Sequence, residues 1–100
     1  MKTTFKEEDK YFVMYFEGRL DTAASAQTEE DMKPLYDCMG HDIILDCTNL
    51  EYISSSGLRL FLGLLKAAKP KGRPVFIRGI NEDLRPVFAM TGFINLFEFK

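Results

Sequence analysis

Histidine occurs once in the 100 residues, at position 41, and cysteine only twice, as Cys38 and Cys47. The cysteines have no CxxC spacing and no histidine cluster beside them, so a metal site lacks ligands and a reduced core thiol is the expectation at each. His41 follows Gly40 and reads as a solvated loop residue, which leaves a Ser-His-Asp arrangement a weak basis. Gly18, Gly40, Gly57 and Gly79 form neither a GxGxxG pattern nor a P-loop, so no nucleotide cradle and no cofactor are expected. No apolar run approaches the roughly 18 residues of a membrane span, and MKTTFKEEDK at the start lacks the apolar stretch of a signal peptide. The expected location is cytoplasmic, without membrane insertion.

An excess of charge of either sign is also missing. Thirteen Lys and Arg against 15 Asp and Glu leave a formal charge of −2. The longest basic block, KAAKPKGR from Lys66 to Arg73, reads as a solvated helix end and loop, so nucleic acid is not an expected partner. What is present is a globular composition, 46% hydrophobic and 28% charged, with length for one domain spanning residues 1–100.

The elements alternate along the chain. TTFKEE and KYFVMYFEG flank a short turn and predict a hairpin, and the apolar residues on both faces of the second strand place it inside a sheet. Asp21 is a good N-cap for a helix from Thr22 to about Met39, with a kink or break near Lys33 because Pro34 has no N–H to donate. DIILDCT, bracketed by Asp42 and Asp46, is a short continuous apolar run, the pattern of a parallel strand covered on both faces, and Asp46 at its end is expected to accept backbone N–H bonds. A second helix starts near the serines of YISSSGL. RPVFIRG is the fourth strand, NEDLRPVFAMTGF a third helix with Leu84, Val87, Phe88 and Thr91 on one face and Gly92 as its stop, and INLFEF the closing strand. The fold class expected is α/β: a mostly parallel five-stranded sheet of right-handed βα units after an N-terminal hairpin, with about three helices. Parallel units gather the loops leaving their strands on one sheet edge, so Gly18–Asp21, Thr48–Gly57 and Gly79–Asn81 are expected to be neighbours.

Three consecutive serines, Ser54, Ser55 and Ser56, precede Gly57 and a leucine-rich helix. One serine is enough for a helix cap, worth about 1 kcal/mol. The apolar side chains from Leu58 to Ala68 cover an arc of roughly 220°, where packing on a sheet needs about 100°. With Leu58, Phe61, Leu62 and Leu65 toward the sheet, Leu60 and Leu64 are left on a flank beside the serines. That flank is covered either by a neighbouring helix or by another protein, in which case a hydroxyl at its rim can act as a switch. The methionines read as core filler, with Met90 the one that has an alternative place at a partner surface.

GRLDTAAS (Gly18–Ser25), DIILDCTNLEYISSSGLRLFLGLLKAA (Asp42–Ala68), the Gly79-Ile80-Asn81 turn and VFAMTGFINLFEF (Val87–Phe99) together resemble the STAS domains, of the anti-sigma factor antagonist type. The resemblance implies a non-enzymatic, partner-switching protein. It implies as partners an anti-sigma factor that is also a serine kinase using ATP and magnesium, and a serine phosphatase of the PP2C type that resets the cycle. By position it implies phosphorylation at Ser55, with Ser54 and Ser56 as the alternatives. Partner binding is implied around Asp21, Ser54, Ser56, Gly57, Leu58, Leu60, Leu64, Gly79 and Asn81. Ser54 departs from the family pattern, since many members carry aspartate immediately before the acceptor. A scaffold or a soluble subunit of a membrane lipid transporter, with structural serines, is the second reading, and a small hydrolase the third.

Overall fold

The computed structural model describes residues 1–37 and 40–100, and every side chain among them except that of residue 94. The helix end expected near Met39 and the thiol state expected at Cys38 lie outside the described residues. Strand β1 (Lys2–Glu8) pairs antiparallel with β2 (Tyr11–Leu20), and β3 (Asp42–Ile53), β4 (Val75–Arg78) and β5 (Glu98–Phe99) add in parallel, in the order β1-β2-β3-β4-β5. Asp9 turns the hairpin with a φ of 60°.

Pro34 breaks the first helix as expected. Helix α1 (Thr22–Asp31) stops at Met32, and a short α2 (Lys33–Tyr36) restarts behind it, with the proline in its first turn, where a missing N–H costs nothing. Helix α2 ends at Tyr36, and α3 (Ser55–Ala68) and α4 (Arg85–Met90) bring the α-helices among the described residues to four.

Strand lengths differ from expectation most at β3 and β5, while β2 runs on to Leu20 and β4 keeps Val75–Arg78 of RPVFIRG. β3 does not end at Thr48: across two register shifts Asn49, Leu50, Tyr52 and Ile53 pair with Glu17, Gly18, Arg19 and Leu20, so ladder bonds carry the strand to the serines. β5 keeps only two residues of INLFEF, because Phe93–Asn95 closes into a 3₁₀ turn after Gly92 takes a φ of +77°.

Period-2 alternation sorts the sheet residues. Phe12, Met14 and Phe16 on β2, Ile43, Leu45 and Cys47 on β3, and Val75 and Ile77 on β4 face a core shared with Leu58, Phe61 and Leu64 of α3, Phe88 of α4, and Met32 and Leu35. Val13 and Ile44 point to the opposite face and are also buried, but outside that core. Their face is screened by side chains instead of a described helix: the Lys100 ammonium lies 4.5 Å from the Phe76 ring centre and 5.2 Å from that of Tyr11, and the Arg78 guanidinium 5.6 Å from that of Tyr15. Both faces of the apolar run are thus covered, as expected, but only one by helices.

Asp46 lies within β3, not at its end, and accepts the Thr48 N–H at 3.0 Å and the Arg78 Nε–H at 2.8 Å. Burial pushes its carboxyl up, but the Thr48 bonds and Arg78 outweigh burial and hold it below the usual carboxylate range. A carboxyl with a lower pKa folded than unfolded contributes stability above its unfolded value and loses it as pH falls through the folded one. The acid limb of the stability curve below about pH 4 should therefore be shallower in Asp46→Asn than in the wild type, measured by urea unfolding at stepped pH. Equal slopes would dismiss this ion pair as a source of acid sensitivity. Burial pushes the neighbouring Cys47 thiol up, as expected of an unreactive core cysteine.

Candidate functional site

The three segments expected to meet do so at the carboxyl edge of the sheet. Ser54 N–H donates to Leu20 O at 2.8 Å, which ties the end of β3 to the end of β2, and the Asn81 amide donates to Leu50 O at 2.9 Å, which ties in the loop after β4. Gly79 packs so closely on Thr48 that an added Cβ would lie 2.0 Å from its hydroxyl oxygen.

The serines divide their work. Ser54 is the N-cap of α3: it is 8% exposed, its backbone is extended, its Oγ accepts the Gly57 N–H at 3.2 Å and its carbonyl accepts the Leu58 N–H at 2.9 Å. Aspartate and serine are both strong N-cap residues, so serine fills the cap at this position as an aspartate would. Ser55, the first helical residue, is exposed and its hydroxyl makes no hydrogen bond among the described residues; Ser56 is half-buried. The hydroxyl presented to solvent at the start of α3 is therefore that of Ser55.

Asp21 caps α1 through the Ala24 N–H at 2.9 Å and accepts the Ser25 hydroxyl on its own carbonyl at 3.0 Å. It sits next in chain to Leu20, whose carbonyl holds Ser54, so the half-buried Asp21 follows directly on the residue that anchors the N-cap of α3.

Several residues named for partner contact have other roles. Leu64 is fully buried and Leu58 nearly so, whereas Leu60 is half-buried against the core. The rotation follows from Gly57: a Cβ there would lie 2.7 Å from Leu20 and 2.9 Å from Ile53, so the helix approaches the sheet through its glycine, and Gly57, Phe61, Leu64 and Ala68 line up inward. Leu62 and Leu65, expected to face the sheet, are half-buried instead. Gly57, Leu58 and Leu64 thus support the site from beneath, and Asn81 is engaged in structure, its amide oxygen accepting the Leu84 N–H at 2.9 Å. Exposed residues at this edge include Ser55 and Gly79.

Met90, read as core, is 88% exposed on the last turn of α4. His41, read as solvated, stacks on Phe12 with ring centres 3.9 Å apart and lies 2.8 Å from Glu7 through Nε2. It precedes β3 while the serines follow it, so the length of that strand separates them and no Ser-His-Asp arrangement is assembled among the described residues. Sequence reasoning missed Tyr52, an exposed ring with the Arg19 guanidinium 4.4 Å from its centre. It was not legible in the sequence, because only the pairing of the continued β3 with β2 sets Tyr52 opposite Arg19.

No helix among the described residues is long and apolar enough to cross a membrane, and no group of three or more metal-ligating side chains occurs among them. The STAS domain family model matches residues 2–100. An anti-sigma-B factor antagonist of Staphylococcus aureus (strain NCTC 8325 / PS 47) is 30% identical over 89 residues, covering 89% of this chain and 82% of that protein. Among solved structures, an anti-sigma-factor antagonist (STAS) domain protein from Planctomyces limnophilus superposes with a TM-score of 0.88 at 14% identity, covering 98% of this chain and 87% of that one. The Bacillus cell fate determinant SpoIIAA in its phosphorylated form superposes with a TM-score of 0.74 at 19% identity, covering 99% and 91%. These structural likenesses concern the fold, and the family match together with the Staphylococcus relative concerns descent: the chain belongs to the STAS domain family.

Proposed function

We propose that this chain is an anti-sigma factor antagonist whose binding to its anti-sigma factor is switched off by phosphorylation of Ser55. The observation that carries the reading is the division between the serines, Ser54 spent on the cap and Ser55 left exposed, its hydroxyl without a hydrogen bond among the described residues. The name of the Staphylococcus relative supports the partner class, and the phosphorylated state of SpoIIAA supports the chemistry. The partner is an anti-sigma factor of the serine kinase type, a PP2C-type phosphatase resets the state, and the chain acts in the cytoplasm without catalysing a reaction itself.

A phosphoryl group on Ser55 adds nearly two negative charges at the N-terminus of α3, where free backbone N–H groups and the positive end of the helix dipole favour it. The fold therefore persists. A docked partner, however, has to desolvate the new charge next to Asp21, which weakens the complex.

The test is incubation of the purified chain with a kinase-type anti-sigma factor and MgATP, with the site mapped by mass spectrometry and binding followed by titration. Phosphate is expected on Ser55, and Ser55→Asp is expected to lose binding. Ser54→Ala should cost about 1 kcal/mol of stability yet still be phosphorylated, whereas Ser55→Ala should unfold within about 0.5 kcal/mol of the wild type and take no phosphate. Equal binding by the wild type and Ser55→Asp would sink the switch and favour the scaffold reading.

A further inference from the structure

The outer edge of β1 carries a pattern complementary to itself. β1 pairs with β2 on one side and with no other strand among the described residues, so the N–H and C=O groups of alternate residues from Lys2 to Glu8 point away from the sheet. Such edges are usually short, bulged, or blunted by proline or lysine. β1 runs seven residues in unbroken register without proline. Of its two lysines, Lys2 stands at the strand end and Lys6 is drawn back over the sheet, its Nζ 5.6 Å from the centre of the Tyr15 ring on β2. On the other face Phe5 stays 40% exposed, although its ring meets Phe12 edge-on at 5.2 Å.

Side chains facing each other across paired strands must lie on the same face, so an antiparallel pair of identical strands can slide only in steps that preserve the alternation. With Phe5 opposite Phe5, Lys2 of each strand faces Glu8 of the other, Thr3 faces Glu7 and Thr4 faces Lys6. Every directly opposed pair is then apolar, polar or opposite in charge. The adjacent allowed registers fail this test, one setting Lys2 against Lys6 and the other Lys6 against Lys6.

We propose that the β1 edge is a self-pairing site, at which two copies of the chain join antiparallel into one continuous sheet around a two-fold axis at Phe5. A single strand pair buries less than the roughly 1,200 Å² of a standard stable interface, so the dimer is weak and reversible. The pairing leaves the first turn of α3 outside the contact, and it does not depend on phosphorylation of Ser55.

Sedimentation equilibrium from micromolar to millimolar concentration tests it. The wild type is expected to show a reversible monomer–dimer equilibrium. Lys2→Glu and Glu8→Lys should each weaken association about tenfold, because both end pairs become like-charged. A one-to-one mixture of the two variants should recover the wild-type affinity, since every end pair is opposite in charge again. Glu8 also accepts the Tyr15 hydroxyl, so circular dichroism checks that each variant is folded, and Lys2→Glu, which leaves that bond intact, carries the test by itself if the other is not. A wild type that stays monomeric throughout overturns the proposal, as does unaltered association of folded Lys2→Glu, or a mixture of folded variants that associates no better than either alone.

Discussion

Phe61→Ala is expected to lower folding stability by about 3–5 kcal/mol, the range for truncating a fully buried aromatic ring. Phe61 is fully buried at the centre of α3, with its ring centre 5.1 Å from that of Phe16 on β2 and 6.5 Å from that of Phe88 on α4. Its ring therefore couples the sheet to two helices, and its loss leaves a cavity that none of the three can close alone. A domain of this size holds roughly 5–15 kcal/mol in total, so the variant keeps a thin margin. Urea unfolding followed by circular dichroism should show a lower midpoint with an unchanged slope. A loss below about 1 kcal/mol would mean that neighbouring side chains refill the space and that the aromatic stack is not the joint described here.

Gly79→Ala is expected to cost about 2–5 kcal/mol, through two causes that can be separated. Gly79 has a φ of +74°, a left-handed conformation that costs a residue with a Cβ about 1–2 kcal/mol. The added Cβ would also lie 2.0 Å from Thr48 Oγ1 and 3.1 Å from Thr48 Cα, so the loop must move, at a cost typical of overpacking, about 1–3 kcal/mol. Thr48→Ala removes the hydroxyl but leaves the backbone contact, and should therefore recover part of the loss and none of the φ term. A double-mutant cycle measures this coupling. Full additivity would show that the clash is relieved by a loop movement that Thr48 does not oppose. Because Asn81 hangs from the same loop and holds Leu50, displacement here should also disturb the edge where Ser55 sits.

The parts of the fold that follow from local chemistry were legible in the sequence. Asp21 caps α1, Pro34 divides the helix at Met32, and Gly92 ends α4, because capping, a missing N–H and a left-handed φ act within one turn of the residue that causes them. The meeting of the three loops was legible too, since it follows from parallel strands and from nothing finer. The end of β3 was not. Thr48 to Glu51 has a weak apolar alternation, and the ladder to β2 that makes it a strand needs two register shifts in a partner far along the chain.

Burial was the harder quantity. An arc wider than its packing surface leaves the rotation of α3 undetermined, and the leucines alone do not choose between Leu60 and Leu64. Gly57 chooses, because the absence of a Cβ lets the helix settle onto Leu20 and Ile53 at that point and turns Leu64 inward. Met90 and His41 were misplaced for a related reason, since the first depends on what α4 leaves uncovered and the second on Phe12 and Glu7, which belong to other elements.

By itself the sequence determined the order of the elements, their caps and breaks, the sheet edge at which the loops collect, and the serine cluster placed on that edge. Only the tertiary structure decided that Ser54 is consumed by the cap while Ser55 stays exposed, that Leu64 is core, and that β1 pairs with a strand on only one of its sides among the described residues. Capping, turns and period are properties of neighbouring residues, whereas exposure is set by what packs against a residue from distant parts of the chain.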